Sequence, residues 1–256
     1  MRRLVALPYS PWSIKARWAL DHHGVEYRYE PYMPMLGEPV LRARMGWPRG
    51  AITVPVLFDG RVVLAESLPI ARHAEKVGAR APLFPEGRDA DVVHWNGLSD
   101  VIARAGRALL TPRMARSAAA LIESMPPSIP KALRRASVPA AELALKYIAR
   151  KHGVREEEEA QDRGTIRWTL RKLRESLERG DYILGALSYA DVAMIASLQM
   201  VLPSRTLAKV GDASAAAWTD DALAREHADV LAWRDRVVER HFVPMRRDSA
   251  RSTGRP

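Results

Sequence analysis

The sequence predicts an α+β chain: a small mixed sheet with helices in the first eighty residues, and helices alone beyond them. Three observations carry this. Apolar runs of strand length (Leu4 to Leu7, Val54 to Phe58, Arg61 to Ala65) and the alternating Val25, Tyr27 and Tyr29 all fall before residue 66. The stretch 81–88, APLFPEGR, is flanked by prolines and reads as a linker. After it, apolar residues recur at helical spacing and no convincing strand follows.

Leu4 to Leu7 forms the first strand. Pro8 breaks it, and Ser10 with Pro11 opens a helix to Leu20, a capping residue followed by proline at the first helical position. Ile14 and Trp18 share one face of that helix, with Lys15 and Arg17 on another, and Gly24 closes it. Val25, Tyr27 and Tyr29 alternate with Glu26, Arg28 and Glu30 as a half-buried strand, completing a right-handed βαβ unit. Residues 33–51 hold Pro34, Pro39 and Pro48 and read mostly as loop. Asp59-Gly60 makes a two-residue hairpin turn between the next two strands. Pro55 heads the first of these strands without a ladder donor, which demands an edge or a sharp turn, with a cis bond as one solution. Glu66-Ser67 then leads into a helix whose Leu68, Ile70, Ala71, Ala74 and Val77 share a face; Pro69 falls in its first turn and Gly78 at its end. The sum over residues 1–80 is βαβ-ββα, a thioredoxin-like arrangement.

The all-helical remainder is expected over 89–245. Asp89 to Leu110 reads as one long helix. Five prolines between Thr111 and Ala140 (Pro112, Pro126, Pro127, Pro130, Pro139) break the next stretch into short helices and turns. The four acids Glu156 to Glu159 suit a solvated helix start, and Gln161 to Leu177 continues as an amphipathic helix. Ser188 and Asp191 have the spacing of a capping box, with Leu187 and Val192 at the staple positions. A final helix is expected over 220–240, and the arginine-, serine- and glycine-rich tail 246–256 is expected to be disordered.

A hydrophobic content of 47% and a charged content of 27% are those of a soluble globular chain. No apolar stretch reaches the length of a membrane span, and the N-terminus lacks the apolar core of a secretory signal. The chain has no cysteine, which fits a cytoplasmic setting and rules out a protein thiol as nucleophile. The net charge of +10 permits association with nucleic acid. The basic residues are scattered, however, and no nucleic-acid-binding signature accompanies them, so no specific nucleic-acid partner and no membrane partner are expected.

This set of landmarks resembles the glutathione S-transferase family. Ser10 to Leu20, SPWSIKARWAL, is similar to the signature in which a Ser, Cys or nearby Tyr precedes a proline-aromatic pair and a basic helix. Val54-Pro55, Glu66-Ser67 and the Ser188-x-x-Asp191 box follow in the family's order across nearly the whole chain. The resemblance implies glutathione as co-substrate, no metal, a homodimer, and attack of the glutathione thiolate on a small hydrophobic electrophile. Val54, freed by the bend at Pro55, would pair its backbone with the extended tripeptide. Ser67 at a helix N-terminus would meet the γ-glutamyl carboxylate, and Glu66 the α-ammonium. Trp47-Pro48-Arg49-Gly50 stands where the family has an Asn-Pro turn. With the Asn missing, Arg49 is either a ligand to a carboxylate or a solvated arginine. A free thiol ionises near pH 8.5, so holding it mostly ionised at pH 7 takes about 2.7 kcal/mol. Ser10, at a helix start, is the first candidate to supply part of that, with Tyr9 and Ser13 next; the simpler reading of Ser10 is a cap. Trp12 is the candidate lining of the electrophile site. The other functional class left open is a catalytically silent binding or scaffold protein.

Overall fold

The computed structural model describes residues 1–126, 129–155 and 158–243. Four short strands form one sheet: β1 (Arg3–Ala6), β2 (Arg28–Pro31), β3 (Val56–Asp59) and β4 (Val62–Ala65), in the spatial order β2-β1-β3-β4. β1 and β2 are parallel, as a βαβ unit requires, while β3 runs antiparallel to both β1 and β4. Helices α1 (Pro11–His22), α2 (Gly37–Arg44) and α3 (Ser67–Val77) accompany the sheet. No strand follows Ala65 among the described residues. The rest is α4 (Asp89–Ala115), α5 (Ala118–Ser124), α6 (Val138–His152), α7 (Glu159–Leu177), α8 (Tyr189–Ser197), α9 (Asp212–Trp218), α10 (Asp221–Glu226) and α11 (Ala228–His241), with short 3-10 turns at Lys131–Leu133 and Leu198–Met200. None of the described helices is long and apolar enough to cross a membrane.

The main core is continuous from the sheet through α1 and α3 into α4, α7, α8 and α11. α1 lies between α3 and α8 and is buried from Ser13 to Leu20. Lys15 and Arg17, on another face than Ile14 and Trp18, are buried as well, at 1% and 4% exposure. Each is matched by acceptors. The Lys15 ammonium donates to Asp100 (2.7 Å), Asn96 (2.9 Å) and Ser99 (3.1 Å) on α4, and Arg17 donates to the Leu207 carbonyl at 2.7 Å. α8 is buried at every position, and the box at its start is made: the Ser188 N–H and hydroxyl both donate to the Asp191 carboxylate, at 2.8 and 2.7 Å.

Several boundaries differ from the sequence reading. The hairpin closes through Gly60 and Arg61, because Asp59 still pairs with Val62 in the ladder. β2 begins at Arg28 rather than Val25, since Tyr27 turns its hydroxyl onto Asp21 at 2.9 Å. Gly78 ends α3 in an extended conformation. Its need for glycine is space: a Cβ there would lie 2.4 Å from the His23 Cβ. α4 runs through Pro112 to Ala115, where a break was expected. The final helix is two, α10 and α11, parted at the buried His227. The expectations for Pro127, Glu156 and the tail 246–256 lie outside the described residues.

Candidate functional site

Strand register brings the three sequence landmarks together. Val5 pairs with Val56 and Val56 with Ala65, so the exit of β1, the entry of β3 and the exit of β4 lie at one end of the sheet. The exit of β1 leads to Ser10, the entry of β3 is Val54-Pro55, and the exit of β4 is Glu66-Ser67. The Val54-Pro55 bond is cis, and the Pro55 carbonyl accepts the Glu66 N–H at 3.1 Å. No backbone hydrogen bond holds Val54 among the described residues.

Glu66 has φ 72° and ψ 155°, a region that only glycine occupies without strain. The cost is about 1–3 kcal/mol, and such outliers gather at ligand-binding positions. Its side chain is exposed and bonds no described group, so the carboxylate is available to a cation. Ser67, the first residue of α3, is buried at 3% exposure, with the Tyr189 hydroxyl approaching it but completing no well-aligned hydrogen bond. The first amides of α3 face the same end of the sheet and carry the positive end of the helix dipole.

Three hydroxyls were candidates beside the thiol, and their surroundings separate them. Ser13 is buried, and its Oγ accepts the Leu7 N–H at 3.1 Å. Tyr9 packs edge-on against Trp218, with ring centroids 5.6 Å apart, and burial pushes its phenol upward, which makes it a poorer donor. Ser10 occupies the N-cap position of α1 in extended conformation but does not spend its hydroxyl on the cap. Ser10 and Tyr9 both leave the hydroxyl without a hydrogen-bond partner among the described residues, and of these two only the Ser10 hydroxyl stands at the N-cap of α1.

Arg49 is exposed on the 46–50 loop, which Arg42 braces by donating to the Pro48 and Gly50 carbonyls at 2.7 and 2.9 Å. The Arg49 side chain bonds no described group. Trp12, in the first turn of α1, carries the Arg107 guanidinium over its ring at 5.0 Å.

Other groups gathered here were not singled out from sequence. α6 reaches across from the helical part to α2: the Glu38 carboxylate accepts from Tyr147 and Lys151, both at 2.6 Å, and from Arg42 at 3.2 Å. Lys151 also donates to the Ile52 carbonyl at 2.7 Å, just ahead of Val54. Burial pushes the Glu38 carboxyl upward, but these three donors more than reverse that and hold it at about 2. His152 ends α6; burial, then the charges of Arg107 and Lys151, push it down to about 4, so it is neutral at pH 7. Long-range packing brings α6 onto α2; the local signals in the sequence are the i,i+4 pair Glu38 and Arg42 on α2 and the i,i+3 pair Arg104 and Arg107 on α4.

A thioredoxin-like domain with a bent strand and two helix starts at one sheet end, continued by a helical part, defines the class of molecule. Residues 9–77 match the family described as glutathione S-transferase, N-terminal domain. No curated protein sequence matches the chain. Among solved structures, the chain is similar to a glutathione S-transferase of Ceriporiopsis subvermispora in complex with glutathione (TM-score 0.63, 17% identity, covering 94% of this chain and 98% of that one). It is also similar to the β-etherase LigF from Sphingobium sp. strain SYK-6 (TM-score 0.59, 19% identity, 93% and 94% covered). A glutathione transferase family member from Pseudomonas fluorescens Pf-5 with bound glutathione gives a TM-score of 0.59 at 16% identity, with 93% and 95% covered. Residues 9–77 therefore match the N-terminal domain of glutathione S-transferases, and the chain as a whole shares the fold of these solved structures.

Proposed function

We propose that the chain binds glutathione at this end of the sheet and transfers it, as thiolate, to a small electrophile. The tripeptide backbone pairs with Val54, and its γ-glutamyl end meets the Glu66 carboxylate and the first amides of α3. The thiol then falls at the start of α1, where the Ser10 hydroxyl donates to sulfur and the helix dipole favours negative charge. The sulfur attacks the electrophile, and the leaving group departs with its electron pair. The single observation that carries this reading is the strained Glu66 backbone beside an uncommitted Ser10 hydroxyl. The functional division follows the irregular segment at 81–88, and a cytoplasmic homodimer completes the proposal.

The test is the ultraviolet absorbance of thiolate against pH at saturating glutathione, for the parent and Ser10→Ala. Losing one hydrogen bond to a charged acceptor is worth about 1.5–3 kcal/mol. Ser10→Ala should therefore titrate at higher pH and slow conjugation at pH 7 by about ten- to a hundred-fold, with glutathione affinity barely changed. Superimposed curves would move the thiolate contact away from Ser10. Absence of any bound thiolate in the parent would favour the scaffold reading.

A further inference from the structure

Arg107 is a half-buried cation without a hydrogen-bond or ion-pair partner among the described residues. Arg17, Arg113, Arg163, Arg174 and Arg234 each donate to a carbonyl or carboxylate. The Arg107 guanidinium makes no hydrogen bond or ion pair among the described residues, and its Nε is buried. A guanidinium carries five donors in a fixed fork; Arg107 is half-buried, so its Nε is shut away while its two terminal nitrogens remain open to a ligand. The near neighbours do not supply an anion. Trp12 offers a ring face at 5.0 Å, Arg104 is a second cation on the same helix, and the neutral His152 closes the side toward α6. Burial, reinforced by the Arg104 charge, lowers Arg107 only to about 10, so it stays charged at pH 7. The unmatched cation therefore lies over the first turn of α1, two residues from the hydroxyl assigned to the thiolate.

We propose that Arg107 recognises an anionic group, a carboxylate or an ionised phenol, on the second substrate, whose aromatic or apolar body lies against Trp12. The inference rests on the transferase reading and narrows its substrate class from hydrophobic electrophiles to acidic ones. A planar carboxylate accepts two parallel bonds from the guanidinium fork, which fixes the orientation of the ring it is attached to. Of the two glutathione carboxylates, the γ-glutamyl one is assigned to α3; a loss of glutathione affinity alone in Arg107→Gln would give Arg107 to the glycyl one instead.

The test pairs two electrophiles of one shape, 4-chloro-3,5-dinitrobenzoate and its methyl ester. In both, glutathione loses its thiol proton to solvent, the sulfur pair forms the C–S bond at C4, and the C–Cl bond breaks with chloride taking its pair. The measured quantity is the acid-to-ester ratio of kcat/KM, divided by the same ratio for free glutathione thiolate. The parent should favour the acid at least about tenfold. Arg107→Gln should cut that preference by about ten- to a hundred-fold, and Arg107→Lys should keep part of it. A ratio near one in the parent would overturn the proposal. So would a fall of both substrates together in Arg107→Gln, or a loss confined to glutathione affinity.

Turnover of neither electrophile would sink the transferase reading instead. The anion site is then decided by calorimetry in the presence of S-methylglutathione, comparing 3,5-dinitrobenzoate with 3,5-dinitrobenzamide. Tighter binding of the benzoate to the parent supports the proposal, and equal binding overturns it. This comparison uses the parent alone and so also decides the matter if Arg107→Gln fails to fold.

Discussion

Replacing Glu66 by glycine should make the protein more stable and less able to hold glutathione. Glu66 stands at φ 72° and ψ 155°, outside the regions open to a residue with a Cβ. Holding it there costs about 1–3 kcal/mol. Glycine removes that strain but loses about 0.5–1 kcal/mol through its freer unfolded chain. The net gain is up to about 2.5 kcal/mol, which in a chain of this size raises Tm by up to about 10 °C. Glu66→Ala is the control. It removes the same carboxylate, and with it the attraction to the buried Lys15 ammonium, yet keeps a Cβ in the strained position. Thermal unfolding of both variants, followed by calorimetric titration with glutathione, separates the two effects. Both should bind glutathione more weakly, because the proposed ammonium partner is gone, but only the glycine variant should melt higher. A glycine variant no more stable than the alanine variant would refute the strain. Undiminished glutathione affinity in both would refute the use made of it.

Ser188→Ala should lower Tm while leaving glutathione binding by the folded protein intact, at a cost of about 1–2 kcal/mol. The upper end is expected, because burial raises the Asp191 carboxyl and the Ser188 hydroxyl is one of the donors that offset it; equal stability of variant and parent would count against the box. The clasp between α6 and α2 should be acid-labile: Glu38 is held below its ordinary value, so its contribution is complete above about 4.5 and drains as pH falls toward 2. Up to about 3 kcal/mol is involved, so the Tm gap between parent and Glu38→Gln should be clear at pH 6.5, cut to about half by pH 3 and nearly gone by pH 2; a gap that does not shrink over this range would contradict the clasp. Sedimentation at micromolar concentration should give twice the 28.6 kDa of one chain, and a mass of one chain would contradict the dimer.

What the sequence disclosed and what it concealed divide along a physical line. Pro11 at a helix start, Asp59-Gly60 at a hairpin and Ser188-x-x-Asp191 at a buried helix act within a few residues, so their meaning is written locally. Pro55 after Val54 forecast a bend, and the bend is there. The concealed features all depend on partners far along the chain. The acceptors of Lys15, Asp100 and Asn96, come from α4, and two of the donors to Glu38, Tyr147 and Lys151, come from α6. Pro112 stays inside α4, a case of tertiary packing overriding local preference. Ser10 illustrates both sides: its place at the helix start was legible, but only the structure shows that its hydroxyl is left unspent while Ser13 is committed to Leu7.

The Lys15 contact with α4 bears on how such chains can diverge. The helix that presents Ser10 belongs by sequence to the sheet domain, yet its buried ammonium finds its acceptors on the first helix beyond the linker. An exchange of halves between two relatives at the linker would leave a buried charge facing foreign side chains, at a cost of several kcal/mol. α1 and the Asn96–Asp100 turn of α4 must therefore be inherited together, as one unit that spans the linker. α6 carries the same constraint, because Tyr147 and Lys151 close on Glu38 of α2 and Lys151 on the Ile52 carbonyl.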